Sequence, residues 1–129
     1  MVRYALIIGL LLSACAQVGT ITGGPTDDYA PKVLSANIQD QQVAVKAQQQ
    51  ILVFDEFIKL KDAQKLITLM PNDSRLQCTV KGKVLTIDFL DSLKAQTTYT
   101  LISNGGVQDI TEGNDSLMTW TFSTGKVLD

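Results

Sequence analysis

The chain has 129 residues, 45% of them apolar and 19% charged, with a formal net charge of −2 and no histidine. The near balance of charge, without a basic patch, argues against a nucleic-acid partner. The lack of histidine removes the commonest general base, the commonest metal ligand and every serine–histidine or cysteine–histidine nucleophile.

In chain order, Arg3 precedes an apolar run from Ala5 to Leu12, followed by Ser13, Ala14 and Cys15. The run falls far short of the ~20 apolar residues that span a bilayer, so it reads as a secretory signal. Leu12-Ser13-Ala14-Cys15 resembles the lipobox of bacterial lipoproteins. That resemblance implies cleavage after residue 14, a diacylglycerol on the Cys15 thiol and an acylated new amine. Each buried methylene contributes about 0.8 kcal/mol, and two or more chains give stable anchoring. Residues 1–14 are then the signal peptide, and the mature part begins at Cys15, with 10 basic and 13 acidic residues. It holds no long apolar run, so the lipid is its expected membrane attachment. Ala16 stands where inner-membrane retention signals carry aspartate, and no acidic run of the surface-export kind follows. The expected location is the outer membrane of a Gram-negative envelope, facing the periplasm.

Residues 15–31 read as the lipidated cysteine and a flexible tether, broken by Gly23-Gly24-Pro25. From Lys32 the pattern becomes short, alternating and rich in β-branched residues. It predicts strands at 32–38, 42–46, 49–55, 64–70, 75–81, 83–90, 97–103 and 117–124. Val43 and Val45 oppose Gln42, Ala44 and Lys46; Leu85, Ile87 and Phe89 alternate with Thr86 and Asp88; Met118, Trp120 and Phe122 alternate with Thr119, Thr121 and Ser123. Period two is the mark of half-buried strands. Lys81-Gly82-Lys83 predicts a tight hairpin and Pro71-Asn72-Asp73-Ser74 a break. Asn104-Gly105-Gly106 and Gly113-Asn114-Asp115 bracket a predicted longer loop. Phe57 to Ala63 has room for a short helical turn and no more. The fold class is therefore all-β, an antiparallel sandwich of seven to eight strands over 32–125, with 126–129 as a C-terminal tail.

The cysteines are Cys15 and Cys78. With Cys15 lipidated, Cys78 has no intramolecular partner and no disulfide framework forms. Cys78 shares a strand face with Leu76 and Val80, which reads as a core thiol.

Four segments resemble bacterial Ig-like domains of the SbsA type. They are Ile51-Leu52-Val53-Phe54-Asp55-Glu56-Phe57, Leu93-Lys94-Ala95-Gln96-Thr97-Thr98-Tyr99-Thr100-Leu101, Gly106-Val107-Gln108-Asp109 with Gly113-Asn114, and Trp120-Thr121-Phe122-Ser123-Thr124-Gly125. The likeness covers residues 30–125 and implies an Ig-like sandwich. Ala95 departs from it, standing where proline is common. A lipobox with a Gly-Gly-Pro tether also resembles Gram-negative envelope lipoproteins that begin with such a domain and continue well beyond it.

Tyr99, early in a late strand, is placed like the tyrosine of a tyrosine corner, its hydroxyl bonding backbone a few residues upstream. Trp120 and Phe122 are read as core packing. The notable polar cluster is Asp55, Glu56, Asp109, Glu112, Asn114 and Asp115. Two acidic segments meeting at one end of a sandwich form a candidate Ca²⁺ set, since that ion takes six to eight hard oxygens. Their spacing matches no dedicated calcium loop. The alternative is a solvated loop in which Asp109 and Asn114 bond their own backbone. A carboxylate pair of the glycosidase kind lacks a cleft and an aromatic platform. Phe54 is expected in the core and Phe57 partly exposed. The expected function is a lipid-anchored, non-catalytic spacer or protein-interaction module of the cell envelope. The alternatives are a carbohydrate- or peptidoglycan-binding module and a calcium-stabilised adhesion or assembly domain, with other envelope proteins or glycan as partners and sheet edges open to pairing.

Overall fold

A computed structural model describes residues 29–71 and 74–129. The signal, Cys15, most of the tether, and Asn72 and Asp73 in the expected break lie outside the described residues. The strands are β1 (Val33–Ala36), β2 (Gln49–Phe54), β3 (Ile58–Leu60), β4 (Ile67–Met70), β5 (Leu76–Lys81), β6 (Val84–Phe89), β7 (Thr98–Asp109) and β8 (Asp115–Ser123), with one helical turn, α1 (Ala63–Leu66), before β4.

One sheet has the order β1-β2-β6-β5. In the other, β7 pairs with β8, with β4 along its first half and with β3 at its end. Every pairing between named strands is antiparallel. Alternation explains the sandwich: Gln50, Leu52 and Phe54 of β2 and Leu85, Ile87 and Phe89 of β6 point inward, Leu52 lying opposite Leu85. Ile67 and Leu69 of β4, Tyr99 and Leu101 of β7, and Phe122 of β8 face them from the other sheet and close one core. The β5–β6 hairpin turns at Gly82-Lys83, where φ of +66° at Gly82 suits a residue without a Cβ.

Three expectations are corrected. The stretch 42–46 forms no strand. Gln41 and Ala44 have φ of 68° and 55°, and the segment runs parallel to β8 through a single bridge between Gln42 and Phe122. The Val45 N–H donates to the Ser123 carbonyl, and only Val45 of the two valines is buried. Physically, the chain leaves β1 in one sheet and crosses to cover the edge of β8 in the other, which needs those left-handed turns. Second, Phe57–Ala63 supplies strand β3, and the helical turn falls later, so the expected strand 64–70 is helical until Ile67. Third, Asn104-Gly105-Gly106 is not the start of a loop. Strand β7 continues through it to Asp109 with a register shift against β8, where Gly105 takes φ of +80°. The connecting loop is residues 110–114.

The two ends of the sandwich differ. Val33 pairs with Phe54, so the chain arrives from Tyr29 at the end of β2. The Gly82-Lys83 turn is at that pole, because the Phe54 N–H donates to the Lys83 carbonyl. Ile58 pairs with Asp109, which places the 110–114 loop there too. At the opposite pole, Thr98 pairs with Ser123, and the Asp129 N–H donates to Thr98 Oγ1 at 2.9 Å. The two poles are called proximal and distal below.

A polar joint marks the crossing between sheets. Gln50, fully buried, donates from Nε2 to the Ile38 carbonyl (3.0 Å) and to Asn37 Oδ1 (3.2 Å). The Trp120 indole N–H donates to that same Ile38 carbonyl at 2.7 Å. Asn37 Oδ1 also accepts the Ile51 N–H. This joint ties β1's exit, β2 and β8 together.

Candidate functional site

The acidic residues singled out in the sequence gather at the proximal pole, but their carboxylates do different work. Asp55 Oδ1 accepts the Lys32 N–H at 2.9 Å, and the Asp55 N–H donates to the Lys32 carbonyl, fastening the incoming chain. Asp109 is the hub of the 110–114 loop. Its Oδ1 accepts the N–H groups of Glu112 and Gly113, and its Oδ2 that of Asn114 at 3.1 Å. This is the local logic of an Asx turn extended along the loop: one carboxylate accepts three consecutive N–H groups of the turning backbone. The Glu112 N–H, foremost, and those of Asn114, Gly113 and Thr111 hold the Asp109 carboxyl below the usual carboxylate range, against the opposing pull of burial.

Glu56, Asp109 and Glu112 border one concavity of about 180 Å³ with Phe57 and Thr111. Asn114 Nδ2 donates to Glu112 Oε2 at 3.4 Å. Asp115 turns away along β8, where its carboxylate accepts from Gln108 Nε2 at 3.0 Å. Among the described residues no three His, Cys, Asp or Glu side chains converge as a metal-holding group. Asp109 already spends both oxygens on backbone donors.

A sign follows for acid. Because the folded-state pKa of Asp109 lies below its unfolded value, its stabilisation is present above the ordinary carboxylate range, near 4, and is lost as pH falls through the lower folded value. The Asp109→Asn variant is expected to be less stable than the parent at pH 7, with the gap narrowing below about pH 4. Urea midpoints at pH 7 and pH 3 measure it; a gap independent of pH refutes the assignment.

Beside the acids stand apolar side chains. Phe57 is 58% exposed and Ile110 53%. The Ile110 N–H donates to the Phe57 carbonyl, so the two continue the β3–β7 ladder. Lys83 Nζ sits 5.3 Å from the Phe57 ring centroid, and Lys32 Nζ 5.6 Å from that of Tyr29.

The remaining singled-out residues lie in the sandwich. Tyr99 is buried, and its hydroxyl accepts the Lys94 N–H at 2.8 Å, five residues upstream. Phe122 is fully buried and stacks on Tyr99 (centroids 5.7 Å apart) and on Phe89 (5.9 Å). Trp120 is half-buried against the same core.

Against known proteins, residues 27–124 match the bacterial Ig-like domain family. The chain belongs to that family. A solved structure with this fold is the N-terminal part of the bacterial S-layer protein SbsC, 21% identical, with a TM-score of 0.50. The alignment covers 76% of this chain and 24% of that one. No curated protein matches the sequence.

Sequence reading of this Ig-like domain missed two features. One is the Asn37–Gln50–Trp120 joint, because a glutamine in an alternating strand carries no mark of burial. The other is a groove of about 540 Å³ between β5 and the α1–β4 segment, bordered by Ala63, Ile67, Leu76, Cys78 and Leu90. Cys78 is a free, half-buried thiol on the groove wall. Burial first, and the Asp88 charge second, push its pKa up to about 11. The thiolate is the reactive form, so iodoacetamide at pH 8 is expected to modify Cys78 roughly 100-fold more slowly in the folded domain than in urea. Equal rates would refute this. The same shift makes the folded state lose stability as pH rises from about 9 to 11, where only the unfolded thiol ionises.

Proposed function

We propose that this protein is a lipid-anchored, non-catalytic Ig-like spacer or interaction module of the bacterial cell envelope. The observation that carries the reading is the opposition of the poles. Tyr29 stands at the proximal pole and Asp129 at the distal one. Strand β7, 12 residues long, runs between them, a distance of roughly 40 Å at ~3.3 Å per residue. A domain held by a lipid at Cys15 therefore carries its distal pole outward from the membrane. The sequence supports the anchor through the Leu12-Ser13-Ala14-Cys15 segment, and family membership fits a role in display or assembly.

The test is the intact mass of protein extracted from the membrane fraction. A polypeptide beginning at Cys15 and bearing acyl chains is expected, and Cys15→Ala is expected to release the protein into the soluble fraction. An unacylated mass would overturn the anchor. For the spacer role, a fluorophore attached at the distal pole should transfer energy to a bilayer dye much less efficiently than one attached at Tyr29. Equal transfer would refute it.

A further inference from the structure

The proximal pole sets exposed aromatic rings beside lysine amines. Tyr29, Phe57 and Ile110 are exposed by 72%, 58% and 53%. Phe57 faces outward because its neighbour Ile58 is the residue turned into the core, and the Ile110 N–H bond to its carbonyl sets Ile110 beside it. Two lysine amines lie over the two aromatic rings. Lys59, exposed on β3, and Lys81, beside the hairpin turn, add to this pole. An aromatic ring with a flexible cationic arm above it suits the headgroup boundary of a bilayer, where the ring meets the acyl region and the amine meets phosphate.

We infer that the proximal pole rests on the phospholipid surface, with Phe57 and Ile110 as its contact. The inference rests on the lipid-anchor reading above. It also rests on where the outlying chain joins the fold. Residues 16–28 connect Cys15 to Tyr29, and at ~3.3–3.6 Å per residue they keep that pole within about 50 Å of the lipid. The distal pole lies a full sandwich length farther away. Tethering raises the local concentration of membrane to the millimolar range or above, so a contact too weak to hold a free protein suffices.

Charge decides which part of the membrane is met. Lys32, Lys59, Lys81 and Lys83 stand against Asp55, Glu56, Asp109, Glu112 and Asp115 at this pole. The balance is close to neutral. The contact therefore depends on apolar side chains entering the interface and responds little to salt, unlike the binding of a basic surface to anionic lipid.

The test places the photo-reactive residue p-benzoylphenylalanine at position 57 or, as the control, at position 90. Leu90 is 49% exposed and follows β6 at the distal pole. The lipidated full chain is irradiated in vesicles of phosphatidylethanolamine and phosphatidylglycerol, at 50 mM and 500 mM salt. Phospholipid adducts are expected at least fivefold more often from position 57 than from position 90, with less than a twofold change across the salt range. Both sites are exposed, so neither change threatens folding. Equal yields on an acylated chain, or adducts at position 57 that are mostly with a second protein copy, overturn this inference and leave the anchor standing. A preparation whose intact mass shows no acyl chains overturns both.

Discussion

Replacing Phe122 with alanine is expected to lower the stability of the domain by about 4 kcal/mol, near the upper end for a single core substitution. Phe122 is fully buried and is the middle ring of a three-ring stack, with Tyr99 at 5.7 Å and Phe89 at 5.9 Å. Tyr99 is its direct partner across the β7–β8 ladder, while Phe89 reaches it from the other sheet. Truncation therefore opens a cavity that two rigid strands bound on either side, and neither can collapse into it. It also loosens the ring whose hydroxyl accepts the Lys94 N–H. For a domain of about 100 residues the loss corresponds to a fall in Tm of roughly 20 °C. Calorimetry measures it. Phe122→Leu should cost less than half as much, because most of the volume remains. A drop below about 1.5 kcal/mol for the alanine variant would mean that the stack carries little of the core.

The second large effect is expected at Gly106, and its reason is space. A Cβ built there lies 2.7 Å from Ile67 Cγ1, 3.2 Å from Ile67 Cδ1 and 3.3 Å from Leu66 Cβ. Gly106 is where α1 crosses close over β7, and its carbonyl accepts the Lys61 N–H at 3.0 Å. Gly106→Ala should cost about 1–3 kcal/mol, the range for overpacking, and Gly106→Val more. The diagnostic is coupling. Ile67→Ala removes the two nearest of these atoms, so the double variant should be less destabilised than the sum of the single ones, by at least 0.5 kcal/mol. Strict additivity would refute the steric account.

Much of this architecture was legible beforehand, and the legible parts share a cause. Strands β5, β6 and β8 show an alternation legible in local sequence alone, since successive side chains must face opposite sides. The Lys81-Gly82-Lys83 hairpin is likewise a property of a few consecutive residues. The resemblance of the segments around Phe54, Tyr99, Asp109 and Trp120 to bacterial Ig-like domains agrees with the family match over residues 27–124.

The misread parts depend on partners far along the chain. Val43 and Val45 alternate as a strand does, but their segment meets the edge of β8 some 80 residues later, and two left-handed residues bend it there. Asn104-Gly105-Gly106 has turn composition. Pairing on either flank, Asn104 with Leu117 and Gln108 with Asp115 of β8 and Val107 with Leu60 of β3, carries the strand through it, with the glycines serving a register shift and a close crossing. Strand β3 is three residues long, too short for any period to show.

The acidic set divides along the same line. Its grouping into two acidic segments, Asp55-Glu56 and Asp109 to Asp115, is a fact of sequence; the work of each carboxylate is not. Asp55 fastens Lys32, Asp109 satisfies the backbone of residues 111–114, and Asp115 binds Gln108, because tertiary pairing chose the donors each one faces.

By itself, the sequence determined the all-β class, the inward rows of the long strands, the tight hairpin and the lipobox-like segment ending at Cys15, since each is written in neighbours within about ten residues. Tertiary structure alone decided which edge the crossing segment covers, which polar side chains are buried at Gln50 and Asp109, and that Tyr29, Phe57 and Ile110 share one pole opposite Asp129. Those outcomes follow from contacts between segments whose separation along the chain leaves no periodic trace, so only the closing of the two sheets brings them into being.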